Sequence, residues 1–291
     1  MSQRLSMQVD GMPWTVRVAG HGQPVLFLHG FSGSGLSWAG IAGLGGRFRA
    51  IVPDLPGHGA TGWQADETRP GAGEPRAGDA VGDLRPRASV ERTADDLATI
   101  ARRLGAGLVH VVGYSMGARI ALRLAISHPG AVNRLVLEAP SAGIADPVAR
   151  AERAALDAER ARLAVTEGIE AFAARWEAEP ALASEVALPA AARNRQRAIR
   201  RAHAPLGLAA SLVYAGQGAM EPLHDRLGEV RAPTLVIVGS DDPARPRAEE
   251  VAAGIPAARL AVVVGAGHGP HLERPDRFHA LVLDFLTEAA A

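Results

Sequence analysis

Short apolar runs, each followed by a turn and a helix-like stretch, constrain this chain more than any other feature. They fall at 25–29, 48–54, 109–114, 135–138, 234–239 and 260–264. A strand with one face in water alternates apolar and polar residues. A strand covered on both faces reads as a nearly continuous apolar run, the pattern of a parallel sheet. Helical spacing fills the intervals at 89–104, 116–127 and 274–288. The first of these opens on Ser89 and carries Leu97, Ile100, Ala101 and Leu104 at helical spacing. Alternation of this kind predicts an α/β fold: a mostly parallel, doubly wound sheet with helices on both faces.

Two stretches break the rhythm. Residues 62–88 are rich in Gly, Pro, Asp, Glu and Arg and can bury little, which predicts a mobile surface loop within the core. Residues 140–223 carry no strand pattern and read as helices at 148–165, 169–177, 189–203 and 206–215. The strands resume afterwards. The simplest organisation is a core built from 1–139 and 224–291, with 140–223 inserted as a helical cap.

Composition removes several classes of chemistry. All 31 basic residues are arginine and they balance 31 acids, so no net field draws the chain to nucleic acid or to an anionic membrane. Without lysine there is no Schiff base and no P-loop lysine. Without cysteine there is no disulfide, thiolate nucleophile or Cys-based metal site. The first 20 residues lack a basic patch followed by an apolar stretch, and no apolar run approaches the ~18 residues of a spanning helix. The expectation is a cytoplasmic protein without a membrane partner. Its oligomeric state is not legible.

The chemistry-bearing motif is Gly113-Tyr-Ser-Met-Gly117, a G-x-S-x-G placed where a strand ends and a helix begins. Such a turn lifts the Ser115 hydroxyl above the sheet edge, and its glycines let neighbouring backbone approach closely. A serine nucleophile needs a base, and the base needs an orienting acid. The strand at 234–239 runs into Ser240-Asp-Asp242, and the next strand runs into Gly265-Ala-Gly-His268. Both lie where strand C-termini meet a pocket. His268 is the expected base and Asp242 its orienter, with Asp241 and His271 as competitors. The spacing His268-x-x-His271-x-Glu273 could suggest a metal, but no further ligand cluster accompanies it. No metal or other cofactor is expected. The oxyanion donors expected are the amides of Met116 and Phe31, the latter in His29-Gly-Phe-Ser-Gly33 after the first strong strand. His58, in Asp54-Leu-Pro-Gly-His-Gly59, reads as a turn residue.

Together these pieces resemble the α/β-hydrolase superfamily over essentially the whole chain. Within it, His29-Gly-Phe-Ser-Gly-Ser34 with Trp38, Gly113-Tyr-Ser-Met-Gly-Ala-Arg119, Leu137-Glu138 and Ser141-Ala-Gly-Ile144 resemble one family. So do Glu167-Gly-Ile-Glu-Ala-Phe172, Trp176, Leu182-Ala-Ser184, Gly207-Leu-Ala-Ala-Ser-Leu212 and Gly267-His268 with His271-Leu-Glu273. That family is the 2-succinyl-6-hydroxy-2,4-cyclohexadiene-1-carboxylate synthases (MenH) of menaquinone biosynthesis. The resemblance implies a carbon–oxygen lyase that eliminates pyruvate from a small polyanionic carboxylate, with Ser115, His268 and Asp242 as a base system. It implies substrate-binding roles for Arg119, Arg153, Arg200, Tyr114 and Trp176.

Arg119 also has a reason in the residues themselves. It follows Ser115 by one helical turn, where a guanidinium fork suits a carboxylate better than an apolar ester. Arg193, Arg197 and Arg200 share a helix face by spacing, and the first two read as a solvated basic face. The chain departs from the family pattern in its long 62–88 loop, in Ala118 and in Pro243-Ala-Arg245 after the acid. The rivals are a serine carboxylesterase or carbon–carbon hydrolase on the same fold, and a receptor using a hydrolase pocket for sensing. The arginines at 193–201 sit in an otherwise charge-balanced block, and the chain is only 4% aromatic. That leaves no platform for a nucleic-acid role.

Overall fold

A computed structural model describes residues 3–40, 46–61 and 88–288. Eight strands form one sheet: β1 (Gln3–Val9), β2 (Met12–Gly20), β3 (Gln23–Leu28), β4 (Phe48–Pro53), β5 (Val109–Tyr114), β6 (Val132–Glu138), β7 (Thr234–Gly239) and β8 (Arg259–Val263). Their order is β1-β2-β4-β3-β5-β6-β7-β8. All pairings from β4 to β8 are parallel, and β2 joins both β1 and β4 antiparallel. The expected α/β fold with a mostly parallel sheet is borne out. The loop expected at 62–88 lies outside the described residues except at Ala88.

Helices cover both faces. α1 (Val90–Arg103), α2 (Met116–Ser127) and α6 (Arg245–Gly254) pack on one face, where Leu26, Leu28, Val111, Leu135, Leu137, Val236 and Val238 are buried. α7 (Pro275–Thr287) packs on the other, against Val25, Phe27, Val112, Val136, Leu235 and Ile237. Adjacent residues of one strand therefore serve opposite cores. This is why each inner strand reads as unbroken Val, Leu and Ile.

Between β6 and β7 the described chain is helical: α3 (Pro147–Glu177), a 3-10 segment (Pro180–Ala187), α4 (Ala190–Arg201) and α5 (Pro205–Ala215). α3 is two helical pieces, as the sequence pattern expects, because Gly168 at φ 79°, ψ 177° leaves the helical region between them. Phe172, Leu163, Ala164, Leu208 and Leu212 form a small apolar cluster inside this block, and Phe31 and Trp176 pack on it.

The N-terminal hairpin was not assigned by the sequence pattern. β1 carries polar Gln3, Arg4, Ser6 and Gln8 on an edge strand, so no apolar run announces it. Its turn is Asp10–Gly11, both at positive φ, with Val9 opposite Met12. That is the two-residue geometry an Asp-Gly pair supports.

Candidate active site

The parallel register brings the C-terminal ends of β5, β6 and β7 level: Tyr114 pairs with Glu138, and Glu138 with Ile237. The candidate residues leave the sheet at that edge. Ser115, between β5 and α2, sits at φ 50°, ψ −106°, a conformation L-residues rarely hold. The turn tolerates it because its flanks are glycine. A Cβ on Gly113 would lie 2.5 Å from the Gly117 carbonyl oxygen, and one on Gly117 would lie 2.2 Å from that of Leu28.

His268 Nε2 lies 3.0 Å from Ser115 Oγ, and His268 Nδ1 lies 2.9 Å from Asp242 Oδ2. The carboxylate fixes the tautomer: Nδ1–H donates to Asp242, which leaves Nε2 to accept from the serine. Asp242 is buried and receives the Ala244 amide at its other oxygen. Asp241, the competing acid, is exposed and accepts instead from the Ser240 hydroxyl. The His268 turn is gripped by Glu273, whose two oxygens accept from the Gly267 and Gly269 amides on either side of it. His271, the competing histidine, lines the same cavity but bonds Glu138 rather than the serine. Its ring Nδ1 and its own amide both bond Glu138 Oε1, at 2.9 and 2.8 Å. His271 and Glu273 are thus engaged separately. Among the described residues no group of three or more His, Cys, Asp or Glu is placed to hold a metal.

Ser115 and His268 open on a cavity of about 230 Å³. Phe31, Met116, Tyr114, Trp176, Arg119, Arg153 and Arg200 all line it, so the residues expected to bind and stabilise a substrate share one space. Neither the Phe31 nor the Met116 amide donates to another described residue. The Phe31 ring meets Trp176 edge-on at 4.7 Å and Phe172 at 6.1 Å, tying the segment after β3 to the helical block. Tyr114 lies between the His268 and His271 rings, and burial, followed by the nearby Glu138 and Glu185, pushes its phenol well above the usual range.

The segment after β3 is braced from below by three buried imidazoles. His58 Nε2 accepts the Ser32 amide at 3.1 Å, and His29 Nε2 accepts the Leu55 amide at 2.9 Å. His203, in the turn after α4, accepts the Gly59 amide at Nδ1 and donates to the Ser32 carbonyl from Nε2. Burial holds His29 down at about 4 and His58 well below its ordinary value, and lowers His203 as well. His58 is therefore a turn residue, as its motif suggests. His203 carries no sequence signal, because its partners are 144 and 171 residues away.

The arginines differ in their partners. Arg153 Nε bonds both oxygens of Asp157, Arg160 pairs with Asp157 and Glu179, and Arg200 pairs with Glu185 and Glu177. Arg119 is buried and donates to the Ala215 carbonyl at 2.7 Å. Burial, with the like charge of Arg153, pulls it down to about 10. Arg160 and Arg247 also line the cavity; the sequence pattern singled out neither. Arg193 bonds the carbonyls of Val186 and Leu188, while Arg197 and Arg201 pair with Glu177. The basic face of α4 is thus largely engaged within the helical block.

A family model described as alpha/beta hydrolase fold matches residues 23–275, and the chain belongs to the α/β-hydrolase family. Within it, the resemblance to the 2-succinyl-6-hydroxy-2,4-cyclohexadiene-1-carboxylate synthases is borne out. The chain is 34% identical over 281 residues, 96% of each chain, to a Bacillus subtilis (strain 168) protein provisionally given that name. The structure of MenH from S. aureus matches with a TM-score of 0.82 at 28% identity, over 93% of this chain and 97% of that one. A thermophilic esterase from Thermogutta terrifontis, solved with malate bound, matches with a TM-score of 0.78 at 28% identity over 98% of each chain. No helix among the described residues is long and apolar enough to cross a membrane.

Proposed function

We propose that the protein is a carbon–oxygen lyase of menaquinone biosynthesis. It eliminates pyruvate from 2-succinyl-5-enolpyruvyl-6-hydroxy-3-cyclohexene-1-carboxylate, giving 2-succinyl-6-hydroxy-2,4-cyclohexadiene-1-carboxylate. The observation that carries this reading is one cavity that joins a serine hydroxyl, 3.0 Å from an imidazole, to a wall of arginines. A serine–imidazole pair alone suits ester cleavage. Guanidiniums around it suit a substrate bearing several carboxylates.

In this mechanism His268, held by Asp242, accepts the Ser115 proton, and the serine oxygen takes a proton from the substrate ring. The electron pair spreads into the succinyl carbonyl, whose oxygen is held by the Phe31 and Met116 amides. Each donor is worth about 3 kcal/mol of barrier. The pair then returns to form a new ring double bond, the existing ring double bond shifts by one position, and the carbon–oxygen bond to the enolpyruvyl group breaks; the departing enolate takes the proton held by His268 and leaves as pyruvate. The helical block serves as the cap that screens this charge from water.

The test is pyruvate release from that substrate. Wild type is expected to turn over many times and Ser115→Ala to lose at least about 100-fold in kcat. An absence of release by wild type, or full activity in Ser115→Ala, would overturn the reading. The esterase likeness favours a second reading, hydrolysis of a carboxylate-bearing ester. Screening aryl esters alongside Arg119→Ala separates the two: a lyase for a polyanion loses orders of magnitude in kcat/KM, whereas a neutral-ester hydrolase does not.

A further inference from the structure

Of the five arginines lining the cavity, Arg153, Arg160 and Arg200 pair with carboxylates of the helical block. Arg119 and Arg247 have no carboxylate within ion-pair distance among the described residues. Arg119 is buried and fixed by the Ala215 carbonyl. Arg247 is different: it is exposed, stands on the first turn of α6, and belongs to the core rather than to the helical block. Its NH1 donates to Gln217 Oε1 at 3.2 Å. Arg153, from α3, donates its own NH1 to the same oxygen at 3.3 Å.

Two guanidiniums from different elements, α3 and α6, thus converge on one neutral amide oxygen. An amide dipole compensates two like charges poorly, whereas a carboxylate meets guanidinium forks with the opposite charge and two acceptor oxygens. Arg153 keeps Asp157 on Nε, which holds its fork in place while NH1 stays available. Gln217 is also closely placed. A side chain at the preceding Gly216 would bring its Cβ within 2.6 Å of Asp157 Oδ2, so the turn carrying Gln217 packs directly on the acid that orients Arg153.

We infer that Arg153, Gln217 and Arg247 form a carboxylate clamp. One substrate carboxylate displaces the shared amide contact, takes one oxygen to each guanidinium, and accepts from the Gln217 amide nitrogen. Arg247, the exposed member, swings to close it, drawing core and helical block together over the bound anion. The inference rests on the carboxylate-substrate reading above and adds Arg247 and Gln217 to it as specificity-determining residues.

The experiment is calorimetric titration of the full chain with propane-1,2,3-tricarboxylate, which supplies carboxylates without a reactive bond, beside steady-state pyruvate release. Arg247→Ala is expected to weaken tricarboxylate binding about tenfold. It is expected to raise KM by a similar factor, with a smaller change in kcat. Arg247→Lys, which keeps the charge without the fork, recovers part of each. Equal tricarboxylate affinity in wild type and Arg247→Ala, or no binding by wild type, overturns the clamp. The two readings fail separately. Arg247-dependent binding without pyruvate release leaves the clamp standing and removes the lyase. Pyruvate release with KM and affinity unchanged in Arg247→Ala removes the clamp alone.

Discussion

Glu138 shows how much one buried carboxylate can organise. It ends β6 fully buried, and its Oε1 takes both the amide and the ring nitrogen of His271. His271 in turn stacks near Trp38 and Tyr114, at 4.9 and 4.6 Å between ring centres. The His268 turn is therefore held at two points, by Glu273 at its glycine amides and by Glu138 one helical turn later. Replacing Glu138 with Ala strands two buried donors, each costing about 1–3 kcal/mol. Glu138→Ala is expected to lose about 3 kcal/mol in urea unfolding and to lower kcat through a loosened His268. A variant as stable as wild type would show that this carboxylate anchors nothing. A backbone counterpart is Gly117, where a Cβ meets the Leu28 carbonyl oxygen at 2.2 Å. Gly117→Ala must open the elbow by shifting β3 or α2, so it is expected to cost at least about 2 kcal/mol and to remove most activity.

At the scale of elements, polar contacts such as those of His203 and Arg119 join the helical block to the core, and an aromatic contact through Phe31 adds to them. Phe172 stacks on Trp176 at 6.1 Å, and both touch Phe31. Phe172→Ala removes the one buried aromatic ring among the buried members of the block's apolar cluster, a change that typically costs about 3–5 kcal/mol in a core. Because that cluster sits in the block, the loss should be local. Limited proteolysis is expected to cut faster within residues 147–215 while the sheet remains protected, and uniform protection would contradict this. The inner elements were legible because each is declared by its own residues. β5 and β7 begin and end where their apolar runs do, and α2 follows the elbow directly. Glycine at 168 divided the long helix in the sequence pattern as it does in the backbone. The hairpin of β1 and β2 was not legible, since an edge strand with polar residues carries no apolar run. Ser115, His268 and Asp242 could be read from motif and order. The Glu138–His271 pair, His203 and the shared Gln217 could not, because each is defined by partners brought together only by the fold.

For the whole molecule, acid should be the sensitive direction. His29, His58 and His203 use one ring nitrogen each to accept a backbone amide, which a protonated imidazole cannot do. His110, buried in β5 beside Arg134, is likewise held at about 4, mainly by burial. All four are neutral in the folded chain at pH values where an unfolded histidine, near 6.5, is taking up its proton. As pH falls, the unfolded state binds protons first, so stability is full above about 6.5 and is lost progressively down to about 4. For fully buried His29 alone, the move from 6.5 to about 4 corresponds to a penalty on the order of 3 kcal/mol. Asp54 extends the loss to lower pH. Burial would raise it, but the Ala60 and Gly35 amides and Arg17 hold it below its ordinary value, so its contribution disappears only as it too is protonated. Urea unfolding at pH 7.5, 6, 5 and 4.5 is expected to show stability falling steadily through that series, with a shallower fall in His203→Gln, which removes one of the titrating rings. Because His58 and His203 grip Ser32, next to the Phe31 amide, activity should fall together with stability rather than after it. A flat stability profile between pH 6.5 and 4.5 would mean that these rings are not held neutral, and that the brace beneath the Phe31 segment is not built as described.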